Sequence, residues 1–307
     1  MPARTGPPAL DGLLFFPVTA FDPDGSFDPG AYRAHLDARL DDGPAAVFAA
    51  CGTGEFPALA PAEYERCVSV AVDAAGGRVP VVSGTGYGTA LALEYARAAQ
   101  DAGADALLVL PPYGPGNGQD GLLRHIAALA EATPLDLILY QRDHTAYEPG
   151  TVAQLAALPG VIGFKDGLGD LDRMLRTVSA VRAAGHPDFL FFNGMPTAEM
   201  TQLAYRAIGV RLYSSAVFCF APDVALAFHR AFAEDDRGTL TMLIELFLRP
   251  YVELRNLRPG YAVSLVKAAT RAVGHPVGGV RAPLTEPAPE HVRALLELVD
   301  RTREALA

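Results

Sequence analysis

Eight apolar runs recur along the chain, each followed by a longer segment with helical spacing, and no other property of the sequence restricts its fold as tightly. The runs cover residues 13–18, 45–50, 79–83, 105–110, 135–140, 161–165, 189–193 and 210–214. The segments behind them begin near Asp28, Pro61, Thr89, Gly118, Pro149, Asp170, Thr197 and Pro222. Runs that are apolar at nearly every position belong to strands covered on both faces, and regular alternation with helices makes such strands parallel. Asp28-Pro29 shows how a helix is started here. The aspartate caps the first turn, and proline takes the first helical position, where its missing N–H costs nothing. Eight such units can close on themselves, and polar residues gather at the C-terminal ends of the runs instead of in one Gly-rich first turn. A TIM (β/α)8 barrel over residues 1–234 is therefore expected in preference to an open doubly wound sheet. Three further helical patterns, 239–255, 261–273 and 290–307, are separated by Pro-rich linkers. They predict a C-terminal helical extension, 235–307, packed on the barrel and not folded as an independent domain.

In such a barrel the active site lies where the strands end. The residues there are Pro17-Val18-Thr19, Gly52-Thr53-Gly54-Glu55, Tyr113, Tyr140-Gln141-Arg142, Lys165-Asp166, Asn193-Gly194 and Ser214-Ser215. Lys165 stands out because only two of the 25 basic residues are lysines, Lys165 and Lys267. A lysine at the end of a buried strand loses hydration of its charged form, so its pKa falls and free amine becomes available to attack a carbonyl. Arginine, which supplies the other positive charges, stays protonated and forms no Schiff base. The competing reading is a surface lysine just past a strand. Gly52, Thr53 and Gly54 can turn backbone N–H groups and a hydroxyl toward a carboxylate, or they form a plain tight turn. Tyr140 would project its phenol beside Lys165 from the adjacent strand, or else be a core aromatic. Arg142 can pair a distal carboxylate in bidentate fashion, and Asn193, Ser214 and Ser215 complete the candidate substrate-binding set. Lys267, away from these ends, is expected to tolerate replacement by arginine.

Other chemistries find little support. A formal net charge of -10 with no basic run argues against nucleic acid and anionic membranes as partners. After Gly84-Thr85-Gly86-Tyr87-Gly88 the dinucleotide fingerprint needs a glycine and meets Thr89; no P-loop motif occurs. The seven histidines lack zinc-ligand spacing, so no metal is expected, and His144 is read as a polar loop residue. Cys51, Cys67 and Cys219 are odd in number without a C-x-x-C pair, which points to a reducing compartment and a cytoplasmic protein. No apolar stretch reaches the roughly 18 residues of a membrane span, and the Pro-rich first ten residues hold no signal-peptide core.

Taken in order, Phe16-Pro17-Val18-Thr19, Gly52-Thr53-Gly54-Glu55-Phe56, Leu110-Pro111-Pro112-Tyr113, Tyr140 and Gly163-Phe164-Lys165-Asp166-Gly167 resemble the dihydrodipicolinate synthase and N-acetylneuraminate lyase superfamily of Schiff-base barrels. The resemblance spans nearly the whole chain. Tyr140-Gln141-Arg142-Asp143, residues 163–170 and 213–218 look most like the 5-dehydro-4-deoxyglucarate dehydratases within it. Gly52 and Gly114 stand where the synthases usually carry a threonine and a second tyrosine, and Gln141 where the dehydratases usually carry asparagine. The resemblance implies Lys165 as Schiff-base lysine, Tyr140 as proton shuttle and Thr53 as carboxylate holder. It also implies a hydro-lyase that needs no metal or organic cofactor, acts on a small 2-oxo sugar acid and forms a homo-oligomer, dimer or tetramer. A 2-keto-3-deoxy sugar-acid aldolase, a dihydrodipicolinate-synthase-like enzyme and a non-catalytic sugar-acid binding protein are the alternatives.

Overall fold

The structure, a computed structural model, describes residues 8, 10–113 and 118–307; Gly114 lies outside them. Eight parallel strands form a closed barrel in chain order: β1 (Leu14–Phe15), β2 (Ala46–Ala49), β3 (Val81–Thr85), β4 (Ala106–Val109), β5 (Asp136–Gln141), β6 (Val161–Asp166), β7 (Leu190–Asn193) and β8 (Leu212–Ser215). Closure is made by Leu14 and Phe15 pairing with Ser214 and Ser215. The helices α1 (Pro29–Asp41), α2 (Pro61–Ala75), α3 (Thr89–Asp101), α4 (Gln119–Ala132), α5 (Pro149–Ala156), α6 (Leu171–Ala183), α7 (Gln202–Ala207) and α8 (Pro222–Glu234) follow the strands. Asp28 does cap α1, its carboxylate accepting from the Ala31 N–H.

Strand parity divides the core in two. Leu14, Phe16, Ala46, Phe48, Val82, Leu108, Ile138, Tyr140 and Phe192 fill the barrel interior. Phe15, Val47, Leu107, Leu139, Phe164 and Phe191, one position away, pack outward against the helices. Side chains of a strand alternate between faces, so this parity decides which strand-end residues can reach the barrel mouth. Tyr140 pairs in register with Lys165, and both follow interior positions, Ile138 and Gly163. Gly163 is required where it stands: a Cβ there would sit 2.9 Å from the Phe192 ring.

Two expected helices are broken by local chemistry. The helix expected from Thr197 starts as a 3-10 turn, Ala198–Thr201, before α7. Thr197 adopts φ 53°, and Asn193 reaches across the turn to Ala198 O and the Thr201 hydroxyl. The expected helix 239–255 is α9 (Arg237–Leu243), a π turn (Ile244–Leu248) and α10 (Arg249–Arg255). Pro250 would clash with the carbonyl four residues back in a regular helix, and the wider turn just before it relieves that. Helices α11 (Tyr261–Ala272) and α12 (Pro289–Leu306) complete the chain. Among the described residues no helix is long and apolar enough to cross a membrane.

The expectation for Lys267 is overturned. It is wholly buried in α11, and its Nζ lies 2.7 Å from Glu55 Oε1, a carboxylate equally buried. Removing one partner of a buried ion pair leaves an uncompensated charge and costs about 3–5 kcal/mol. Arginine, larger and planar, has no spare room at a fully buried site.

Candidate active site

The strands' C-terminal ends open into a cleft with about 650 Å3 of empty space, part of it open to solvent. At its floor, Lys165 is 5 % exposed. Its Nζ lies 4.1 Å from the centre of the Phe16 ring and 4.7 Å from that of Tyr140. Two aromatic faces and burial replace the water an ammonium needs. Desolvation brings the Lys165 pKa down to about 7; Arg142 pushes the same way, and the Cys51 thiol acts against them. No carboxylate pairs with Lys165 among the described residues, and this separates it from Lys267.

Tyr140 is also buried, and its hydroxyl donates to Gly194 O at 3.0 Å. Burial raises its pKa, while the Arg142 guanidinium offsets part of that rise. Arg142 is held on a short bridge to Thr145 and lines the cleft with Gly52, Thr53 and Ser214. Its Nε is 3.4 Å from the Asp143 carboxylate. Lys165, Tyr140, Thr53, Gly52, Arg142 and Ser214 thus meet around one cleft, although they come from strand ends far apart in sequence.

Three other expected residues do not face it. Asn193 lies one position past the interior residue Phe192, so its amide points outward and donates to Ala198 O, the Thr201 hydroxyl and Gln202 Oε1. Ser215 follows Ser214 and is turned to the opposite face, where its hydroxyl accepts from Phe218 N. Gly54 lies behind the turn, its carbonyl accepting from the Thr19 hydroxyl at 2.6 Å. Gln141, which stands where the dehydratases usually carry asparagine, is likewise not among the residues lining the cleft. It donates to Asp166 Oδ1 and accepts from Tyr147 N. Asp166 also accepts from the Tyr205 hydroxyl at 2.5 Å and from Leu168 N, so the carboxylate beside Lys165 ties the strand end to its surroundings. Tyr113 is 92 % exposed and points away.

Sequence reasoning missed half of the wall. Met195, Pro196 and Thr197 from the loop after β7, Tyr251 from α10, and Ala262 and Val263 from α11 also line the cleft. No motif marks these residues, because helices 86 or more positions past Lys165 enter the site only through folding. Among the described residues no three His, Cys, Asp or Glu side chains are grouped as a metal site.

The crowding around Lys165 gives one expected result. A Cβ on Gly194 would lie 2.7 Å from Lys165 Cε and Cγ and 2.9 Å from Asp166 O. Gly194→Ala should displace the amine from its place against Tyr140 and lower kcat about 10²-fold, the usual scale for a misplaced reacting group. Steady-state rates, with a melting curve to confirm folding, check this; a wild-type kcat would show that the lysine moves aside freely.

The chain is similar over nearly its whole length to proteins already described. The chain is 60% identical over 290 residues to a probable 5-dehydro-4-deoxyglucarate dehydratase from Streptomyces avermitilis, covering 94% of this chain and 93% of that one. It is 42% identical over 295 residues to a probable enzyme of the same name from Rhizobium rhizogenes, covering 96% of each. Among solved structures, dihydrodipicolinate synthase from Bacillus clausii superposes with a TM-score of 0.87 at 27% identity, over 96% of this chain and 98% of that one. The protein YagE of Escherichia coli, solved in complex with pyruvate, superposes at 0.85 and 26%, over 96% of this chain and 99% of that one. Residues 9–302 match the dihydrodipicolinate synthetase family, and the chain belongs to it.

Proposed function

We propose that this protein is a Schiff-base lyase that dehydrates and decarboxylates 5-dehydro-4-deoxy-D-glucarate to 2,5-dioxopentanoate, water and CO2. The observation that carries the reading is a buried amine with no carboxylate partner among the described residues and a pKa near 7, on the floor of the cleft beside the Tyr140 ring. The names of the relatives supply the substrate.

The free amine of Lys165 attacks the ketone while Thr53 and the neighbouring backbone hold the adjacent carboxylate. Tyr140, protonated because burial raises its pKa, gives its proton to the departing carbinolamine hydroxyl, which leaves as water. The resulting phenolate, with the Arg142 guanidinium nearby, then takes a proton from the CH2 next to the iminium. Enamine formation expels the β-hydroxyl, to which Tyr140 returns that proton, so a second water leaves. The conjugated iminium accepts the electron pair of the distal C–C bond as CO2 departs. Protonation and hydrolysis with one water then release the dioxo product and restore the lysine. Arg142 and Ser214 are the residues placed to hold the distal hydroxyl and carboxylate before that step.

Product analysis on 5-dehydro-4-deoxyglucarate is the direct test. CO2 and a five-carbon dioxo acid are expected, whereas pyruvate release without CO2 would mean carbon–carbon cleavage instead. The same reading makes the protein cytoplasmic and a homo-oligomer, dimer or tetramer. The apolar side chains Leu171, Leu175 and Leu203, exposed on neighbouring barrel helices, support the oligomer. A monomer mass by sedimentation equilibrium at micromolar protein would remove it.

A further inference from the structure

The loop that brings Thr53 to the cleft is held in a conformation its own residues disfavour. Ala50 has φ 47° and Glu55 φ 55°, so the turn between them is bracketed by two non-glycine residues in the left-handed region. Such residues persist only where their surroundings over-determine them. Inside the turn Glu55 N donates to Gly52 O, and Phe56 N to Cys51 O, at 3.2 and 3.1 Å. The stronger restraint comes from the far end of the chain. Lys267 Nζ donates to Glu55 Oε1 at 2.7 Å, and the backbone N–H of Arg281 to Glu55 Oε2 at 3.0 Å.

Around this carboxylate the C-terminal segment grips the loops after β1 and β2. The Phe21 ring lies between Lys267 Nζ, 3.8 Å from its centre, and the Arg281 guanidinium carbon, 4.0 Å away. Arg281 donates to Gly25 O and Ala58 O and pairs with Glu63. Phe21 N donates to Val277 O. Burial lowers the Lys267 pKa to about 8, and Glu55 holds it from falling further.

We infer that Lys267 is a positioning residue for the reaction: through Glu55 it sets the Gly52–Glu55 turn and thereby the grip of Thr53 on the carboxylate next to the substrate ketone. The inference rests on the Schiff-base reading above. It gives the second lysine of the chain a task complementary to the first. One lysine has no carboxylate partner among the described residues and reacts; the other has one and orients. Lys267 touches no substrate; it acts through Glu55, and its effect belongs in the affinity for a 2-oxo acid rather than in the chemical steps.

The test uses pyruvate, the smallest 2-oxo acid, with borohydride to trap the imine on Lys165. The full-length wild-type protein should trap pyruvate saturably; no trapping in the wild type sinks the Schiff-base reading itself. The double variant Glu55→Gln with Lys267→Met removes both charges together, avoiding a lone buried ion, and keeps an acceptor for Arg281 N. It should need about tenfold to a hundredfold more pyruvate for half-trapping, and its KM for substrate should rise by a similar factor with kcat within about threefold. Adding Thr53→Val should then cost little more, because both changes act at one contact and are non-additive. Glu55→Asp retains the charges but shortens the side chain by one methylene, and should raise the half-trapping concentration about tenfold even if the double variant does not fold. A purely structural pair predicts a lower melting temperature with wild-type pyruvate dependence, or full additivity with Thr53→Val. Either result overturns the assignment.

Discussion

Lys165→Arg should leave the protein folded and without turnover, a loss of at least about 10⁴-fold, on the scale found when a covalent nucleophile is removed. Arginine keeps a positive charge against the Phe16 and Tyr140 rings, and the open cleft gives its head room, so circular dichroism and melting should stay close to wild type. What it cannot do is deprotonate and condense with a ketone. Borohydride with substrate should add mass to wild-type Lys165 and none to the variant. The wild type carries a further signature. With the amine's pKa near 7, kcat/KM should fall about tenfold per pH unit below that value, as the nucleophile becomes protonated, and level off above it. A kcat/KM flat from pH 5 to 8 would mean that Lys165 is not the group being titrated. Lys267→Arg is not a neutral control for this experiment, because that lysine is buried against Glu55. An exposed basic residue such as Arg237, 86% exposed, serves better.

Tyr140→Phe should lower kcat by about 10² to 10⁴, the usual contribution of a positioned acid–base group. The phenyl ring keeps its face against Lys165, and the hydroxyl gives up its bond to Gly194 O and its interaction with Arg142, both at the edge of the cleft, so the fold should survive. Borohydride trapping should still occur, more slowly, because the hydroxyl assists dehydration of the carbinolamine without forming the covalent bond. An unchanged kcat would remove Tyr140 from the proton transfers and leave a bound water as the base. Arg142 should matter through the same phenol: its charge opposes the rise that burial imposes. The two residues therefore belong to one proton-transfer unit, and their substitutions should not add.

Much of the barrel was legible because strands buried on both faces and helices with capped starts leave local signals, and eight repeats of one unit leave few ways to arrange them. The helix from Pro61 to Ala75 follows from its proline start and the Gly76 behind it, where φ is 55°. The residues proposed to carry the chemistry were legible for a related reason. Strand ends meet at one rim in this fold, and a chain with two lysines draws attention to the one placed there.

The errors share one cause. Asn193, Ser215 and Gly54 sit beside true wall residues in sequence, and an alternation of faces or a turn of the loop sends them elsewhere. At the end of a strand, one position decides between the cleft and its supporting shell, and the exact register of the barrel decides that position.

By itself, then, the sequence determined the repeat, the closed parallel architecture and the one lysine at a strand end, because these depend on patterns within short stretches of chain. Only the tertiary structure decided which neighbours of that amine line the cleft, that α10 and α11 complete it, and that Lys267 pairs with Glu55 across 212 positions. Such contacts have no local signature: they arise from where separate segments come to rest once the whole core has packed.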